Sequence, residues 1–410
     1  MSLTLPLLAP REKLPRCVII VENLPVPFDR RVWQEANALK AAGWEVSVIC
    51  PLNEQHPLRF EEINGIAIYR HPLPVEARGK LGFILEYASA LFHETRLLLK
   101  IALTRGFDVV QGCNPPDLIF LVAAPYKLFG KKYIFDHHDL CPELYAAKYG
   151  RRGLFHRLLL LAEKCTFKFA DRVISANDTY RDIAIERGGM APENVTTVYS
   201  VPDRQKLRRV EPNGELRAGA AVVLGYLGII ADQDGVDHLI RMMAHIIHDS
   251  GRRDVRAVIV GDGPALASVK ELAHSLGVAE HVTFTGYLRG QDLLAAISTF
   301  DIGIIPDPVN EYNDKISMNK VFEYSTLGIP SVSYDLSETR RLLGATGTFA
   351  RDATPLSLAE AALPLIDDET RRREVGASAG RLAEEKFNWD SEARKYVGVY
   401  ETLVKIRAYA

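Results

Sequence analysis

Residues Cys17–Glu22, CVIIVE, form an apolar, β-branched run too short to be an ordinary buried helix, and it reads as a buried strand. The loop NLPVPFD leads into a helical pattern from about Arg30 to Ala42. Gly43 ends that pattern, and EVSVIC (45–50) is a second strand-like run. Strand, loop, helix and strand in this order open a Rossmann-like sheet, because a parallel neighbour is reached only through a crossover.

The same alternation governs the rest of the chain. FEEINGIAIYRHP (60–72) reads as a hairpin turning at Asn64-Gly65. Further strands are expected at 108–112, 133–136, 172–177 and 194–201, with helices over 80–104, 151–170 and 178–187. Residues 202–219 are polar, carry Pro and Gly, lack periodicity and read as a linker. Alternation then restarts, with strands expected at 221–228, 256–261, 281–285, 301–306 and 330–334. Helical patterns over 356–366, 369–386 and 389–407 close the chain. The expected architecture is α/β: two Rossmann-like domains, over 15–203 and 220–386, facing across a cleft. In such sheets ligands bind at the carboxyl ends of the strands.

At 410 residues the chain is too long for one core, which agrees with two domains. A net charge of −2 gives no overall field to draw it to nucleic acid. The five cysteines, Cys17, Cys50, Cys113, Cys141 and Cys165, contain no C-x-x-C pair; buried free thiols in a reducing compartment are expected, and no zinc site. The N-terminal MSLTLPLLAPREKLPR is broken by Pro6, has no basic residue before its apolar part and makes a poor signal peptide. No stretch reaches the ~20 apolar residues of a membrane span, so a cytoplasmic location is expected.

Motif spacing narrows the chemistry. GDGPAL (261–266) lacks the third glycine of a dinucleotide fingerprint, and neither a P-loop nor a G-x-S-x-G elbow occurs. His137 and His138 lie between Asp136 and Asp139. Adjacent residues on an extended segment point to opposite sides, so a cleft histidine held by a neighbouring carboxylate is favoured over a shared metal. Residues 313–340 contain a short helix with Ser317 as expected N-cap and Gly328 with Pro330 as its stop. On helical spacing Asn319, Lys320 and Glu323 share one face near the helix N-terminus, an end suited to a phosphate.

Taken together, FDRRVWQEANALKAAGWEVSVIC, NPPDL, FDHHDLCPELY, LGYLGIIADQDGVDHLI, VIVGDGP, VTFTGYL and NKVFEYSTLGIPSVSYDLSETR resemble the family 4 glycosyltransferases, from about Val18 to Leu403. These are retaining, nucleotide-sugar-dependent enzymes of the GT-B fold, and the nearest subset builds bacterial polysaccharides or glycoconjugates. The resemblance implies a donor site in the second domain made by Gly228, Asp262, Gly263, Tyr287, Leu288, Ser317, Met318, Asn319 and Glu323. It implies catalytic roles for His138, Glu323 and Lys320, a UDP-, GDP- or ADP-sugar as donor, and no metal or other cofactor. It also implies a helix from about Trp389, within 387–410, that returns to the first domain.

Three positions depart from the family pattern. The signature E-x7-E keeps its second member as Glu323, the expected ribose contact, but Lys315 stands at the first. Ile229 and Asp234 occupy places where an Arg and a Lys commonly neutralise the diphosphate. Lys320 and the helix N-terminus at Ser317–Asn319 are left as the expected compensation, with Arg340 and Lys315 behind them.

The acceptor is expected against the first domain at Phe28, Asp29, Arg30, Asn114 and His137, with Asp29 also able to cap the helix that begins at Arg30. Segments 78–105 and 151–168 mix basic residues with long apolar runs, as in RRGLFHRLLLL. They suit either core helices or the surface of an anionic membrane, where a lipid-linked acceptor would lie. A glycan is the other acceptor expected, and a sugar-nucleotide epimerase and a non-catalytic nucleotide-sugar-binding protein are the competing functions.

Overall fold

The computed structural model describes residues 14–72, 79–150 and 152–404. The N-terminal segment, residues 78 and 151, and the end of the expected 389–407 helix lie outside them.

The first sheet contains β1 (Arg16–Val21), β2 (Glu45–Pro51), β3 (Phe60–Ile63), β4 (Ile66–His71), β5 (Val109–Cys113), β6 (Lys132–His137), β7 (Arg172–Ser175) and β8 (Val195–Thr197). Their order is β3-β4-β2-β1-β5-β6-β7-β8, parallel except for the β3–β4 pair. That antiparallel pair turns at Asn64 and Gly65, with φ of 54° and 73°, the geometry an Asn-Gly hairpin favours. The central strands are apolar on both faces because helices cover both.

The second sheet contains β9 (Val222–Leu227), β10 (Val255–Val260), β11 (Val282–Gly286), β12 (Ile302–Ile305), β13 (Ser331–Ser333) and β14 (Thr348–Phe349). Their order is β11-β10-β9-β12-β13-β14, and every pairing is parallel. The two-residue β14 carries no periodicity and was not expected. The expected helix 151–170 is present as Leu154–Phe169, and a second helix that was not expected, Cys141–Tyr149, precedes it and ends at the left-handed Gly150. Both sheets have the GT-B arrangement, as expected.

The last helix, Trp389–Leu403, belongs to the first core. Tyr396, Val399 and Tyr400 are buried among β1, β2 and β5 residues, and the Tyr400 ring meets Trp44 edge-on at 5.2 Å. Burial of two tyrosines demands partners for their hydroxyls. Both donate to Gln111 Oε1 on β5, at 2.8 and 2.6 Å.

Candidate active site

The carboxyl ends of β1, β6 and β7 in one sheet and of β9, β10, β11 and β12 in the other border a single cavity of about 630 Å³. Phe28, Asp29, Arg30 and His138 reach it from the first sheet; Gly228, Asp262, Tyr287, Leu288, Ser317, Met318, Asn319, Lys320 and Glu323 reach it from the second.

The helix Asn319–Thr326 begins one residue later than expected. Met318 is its N-cap and supplies no side-chain hydrogen bond, so the first-turn N–H groups are left uncapped by any side chain. Ser317 instead donates its hydroxyl to Glu338 Oε1 at 3.0 Å. Val321 and Phe322 face the core, and Lys320 and Glu323 are buried yet line the cavity. Lys320 is already engaged: its ammonium lies 2.6 Å from buried Asp307 and 4.9 Å above the Tyr226 ring. Asp234 stands nearby with its pKa pushed up to about 6 by burial, against the pull of Lys320.

Two glycines explain how the loops after β9 and β10 fit together. A Cβ on Gly261 would fall 1.8 Å from the Gly228 carbonyl oxygen, and one on Gly263 would fall 2.4 Å from that of Ile230. The close approach these glycines allow is therefore, first of all, of one loop to the other. Asp262 accepts the Gly263 N–H at 2.7 Å.

On the first-domain side, Asp29 caps its helix by accepting the Val32 N–H at 3.0 Å. The next residues diverge. Arg30 crosses the cleft to Glu323, whereas Arg31 turns inward and grips Asp136 through Nη2 at 2.8 Å and Nε at 3.2 Å. Asp136 Oδ2 then lies 3.3 Å from His138 Nδ1. Burial alone would raise the Asp136 pKa, but Arg31 and His138 hold it well below the ordinary range. Burial opposes charge on His138 too, yet Asp136 raises its pKa. Asp136 was legible as a neighbour of His138; Arg31 was not, because nothing in DRR tells which arginine turns inward.

Two expected acceptor contacts lie elsewhere. His137 is fully buried among Phe135, Phe167 and Tyr180, and burial with Arg187 nearby lowers its pKa to about 3. It is the residue of the pair that alternation turns away from the cleft. Asn114 is also buried and fully employed. Its amide donates to Asp117 and to the Asp139 carbonyl, and its Oδ1 accepts the N–H groups of His138 and Asp139 at 2.8 and 3.1 Å. Asn114 shapes the histidine turn from beneath.

Of the other cations, Arg340 pairs with Asp335 and stacks 4.1 Å from the Phe349 ring centroid, and Lys315 pairs with Glu143 and Glu311. Neither lines the cavity. At the cavity mouth Phe28 and Tyr287 face each other at 6.4 Å, with the Arg289 guanidinium 4.9 Å from the tyrosine centroid. Glu35, Cys113 and Asp136 bring three potential metal donors within 4.8 Å of one another, but Arg31 is seated on both carboxylates, 3.0 Å from Glu35.

Behind this layer runs a buried polar chain the sequence did not disclose. Gln111, oriented by the two tyrosines of the last helix, donates to Glu35 at 2.8 Å, and Glu35 meets Arg31. Such chains are specified by contacts between residues far apart in sequence, as with Gln111 and Tyr400, 289 positions apart.

Two family models together match most of the chain: Glycosyltransferase Family 4 over residues 29–205 and Glycosyl transferases group 1 over 221–368. The alpha-D-kanosaminyltransferase of Streptomyces kanamyceticus is 25% identical over 250 residues, 59% of this chain and 63% of its own length, so the match spans less than two thirds of that relative. An uncharacterized glycosyltransferase of Methanocaldococcus jannaschii is 24% identical over 90% of this chain and 93% of its own. Among solved structures, sucrose-phosphate synthase from Thermosynechococcus elongatus superposes with a TM-score of 0.76 at 17% identity, covering 95% of this chain and 99% of that one. Family models on both domains and the shared two-sheet fold make this chain a member of the family 4 glycosyltransferases.

Proposed function

We propose that this glycosyltransferase moves a sugar from a nucleoside diphosphate sugar to an acceptor hydroxyl, with retention of the anomeric configuration. The observation that carries the reading is the opposition, across one cavity, of Glu323 and the uncapped start of the Asn319 helix to His138 held by Asp136. Glu323 takes the ribose hydroxyls. The loop at Gly286–Leu288 meets the base, and the helix N–H groups receive the diphosphate. Arg30 and Lys320 add positive charge where Ile229 and Asp234 supply none, Lys320 sharing its charge with Asp307. With Asp136 accepting from Nδ1, His138 is left with Nε2 to meet the donor sugar as the leaving group departs. Closure of the domains keeps water from the activated sugar.

A panel of UDP-, GDP- and ADP-sugars tests this by thermal shift. Binding at ~100-fold excess over Kd stabilises by ~2.7 kcal/mol. The hit is then followed with and without glycan or lipid-linked acceptors. A glycoside with the donor's anomeric configuration supports the reading. An altered nucleotide sugar without acceptor points to an epimerase, binding without turnover to a non-catalytic protein, and a flat panel overturns the donor assignment.

The acceptor reading extends to lipid. Leu99 and Leu103, Leu128 and Phe129, and Leu154, Leu158 and Leu161 are exposed on first-domain helices and the turn after one of them, with Lys100 and Lys131 nearby in sequence. No described helix is long and apolar enough to cross a membrane, so contact would be at the surface. Co-sedimentation with anionic liposomes at low salt is expected, and binding no greater than to neutral liposomes refutes it.

A further inference from the structure

Lys315 replaces an expected carboxylate, yet its ammonium does not face the cavity. It donates to Glu143 Oε1 across the cleft at 3.1 Å. Glu143 is nearly buried in the first turn of the Cys141–Tyr149 helix, where it is shared with Arg187 at 2.6 Å. Three residues earlier, Tyr312 donates its hydroxyl to Asp139 Oδ1 at 3.0 Å. The Lys315 carbonyl accepts from Asn177 Nδ2 at 2.9 Å. One short segment of the second domain thus binds the first domain at several points, two of which, Asp139 and Glu143, flank the turn that follows His138.

These bonds exist only when the domains are together. Each partner is anchored in its own domain, so separation returns an ammonium, a carboxylate and a hydroxyl to water. Approach exchanges that hydration for directed bonds whose value lies in fixing geometry more than in net stability. The contacts also end next to the histidine, so closure and the setting of its turn become one event.

We propose that Lys315 is a positioning residue, a latch that closes the cleft onto His138 through Glu143, with Tyr312 and Asp139 as its second point. The inference rests on the reading of the cavity as the transfer site. Its test separates the two.

Small-angle scattering of the full chain, free and with UDP, GDP or ADP, reads closure without turnover. Lys315→Met is expected to shift the radius of gyration upward, Lys315→Met with Tyr312→Phe further, and Lys315→Arg to return it toward the original value. In assays with UDP-glucose, UDP-N-acetylglucosamine, GDP-mannose and ADP-glucose, Lys315→Met raises the fraction of donor lost to hydrolysis, because an incompletely closed cleft admits water. In a Glu143→Gln background Lys315→Met adds little further change, since both act through one bond. Circular dichroism and the milder Tyr312→Phe variant guard against a folding defect. An unchanged radius in the double variant, free and with every nucleotide, overturns the latch, as do independent, additive effects of Lys315→Met and Glu143→Gln. A failed donor panel counts against the proposed function alone, and the radius still decides the latch.

Discussion

The Arg30 guanidinium of the first domain lies 2.6 Å from the Glu323 carboxylate of the second. Arg30 keeps 40% of its side chain exposed and Glu323 only 11%, so the arginine is the solvent-facing partner of a largely buried acid. The pair joins two residues that the sequence assigned to opposite substrates. The proposed nucleotide donor would meet Glu323 already hydrogen-bonded, and displacing or sharing Arg30 would bring that charge toward its diphosphate.

Replacing Glu323 tests the ribose contact. Hydrogen bonds to a charged group contribute about 1.5–3 kcal/mol, so Glu323→Ala is expected to weaken nucleotide binding by roughly ten- to a hundredfold. Titration calorimetry against UDP, GDP and ADP measures it, and an undiminished affinity refutes the assignment.

Asp136→Asn tests the histidine. His138 has a folded pKa above its unfolded value, so the stability it contributes is present below about pH 6.5 and is lost as pH rises through the folded value. The substitution removes this pH dependence and lowers the His138 pKa, observable by histidine NMR. It also strips Arg31 of its bidentate partner, and breaking a buried pair costs about 3–5 kcal/mol. A His138 titration that does not move would show that Asp136 does not set it.

The Lys320–Asp307 pair is nearly dry. Lys320→Met strands Asp307, whose carboxyl burial already drives its pKa up, and is expected to destabilise the second domain by about 3–5 kcal/mol in urea unfolding. Lys320→Met with Asp307→Leu recovers most of that loss. Recovery of stability without recovery of nucleotide affinity would assign Lys320 both roles.

Glu94 provides a stability signal outside the cavity. Burial first, and Glu22 second, raise its pKa to about 8. A raised carboxyl favours the folded state fully below the unfolded value near 4.3, and its contribution falls by about 1.4 kcal/mol per pH unit until the folded value is passed. Glu94→Gln is therefore expected to flatten the loss of thermal stability between about pH 5 and 8. Parallel melting curves for variant and parent over that range would count against it.

The strand runs, the Asn64-Gly65 turn, the Gly328 stop and the grouping of Lys320 with Glu323 were legible in the sequence. Each follows from chemistry within a few residues: branching, alternation, a left-handed backbone, helical spacing. The same local rules placed Ser317 as a cap, and His137 was expected on the acceptor side although alternation turns one histidine of the pair away from the cleft. Both failed because distant groups decide the matter: Glu338 takes the Ser317 hydroxyl, and the aromatic cluster of Phe135, Phe167 and Tyr180 takes the His137 ring. Sequence thus determined the elements and which strand ends carry polar groups. Only the tertiary structure decided which charges are spent on neighbours. Arg31 on Asp136, Lys320 on Asp307, Lys315 on Glu143 and Arg30 on Glu323 are pairings over 13 to 293 positions, and a charge has no preferred partner until the fold sets distance and dielectric.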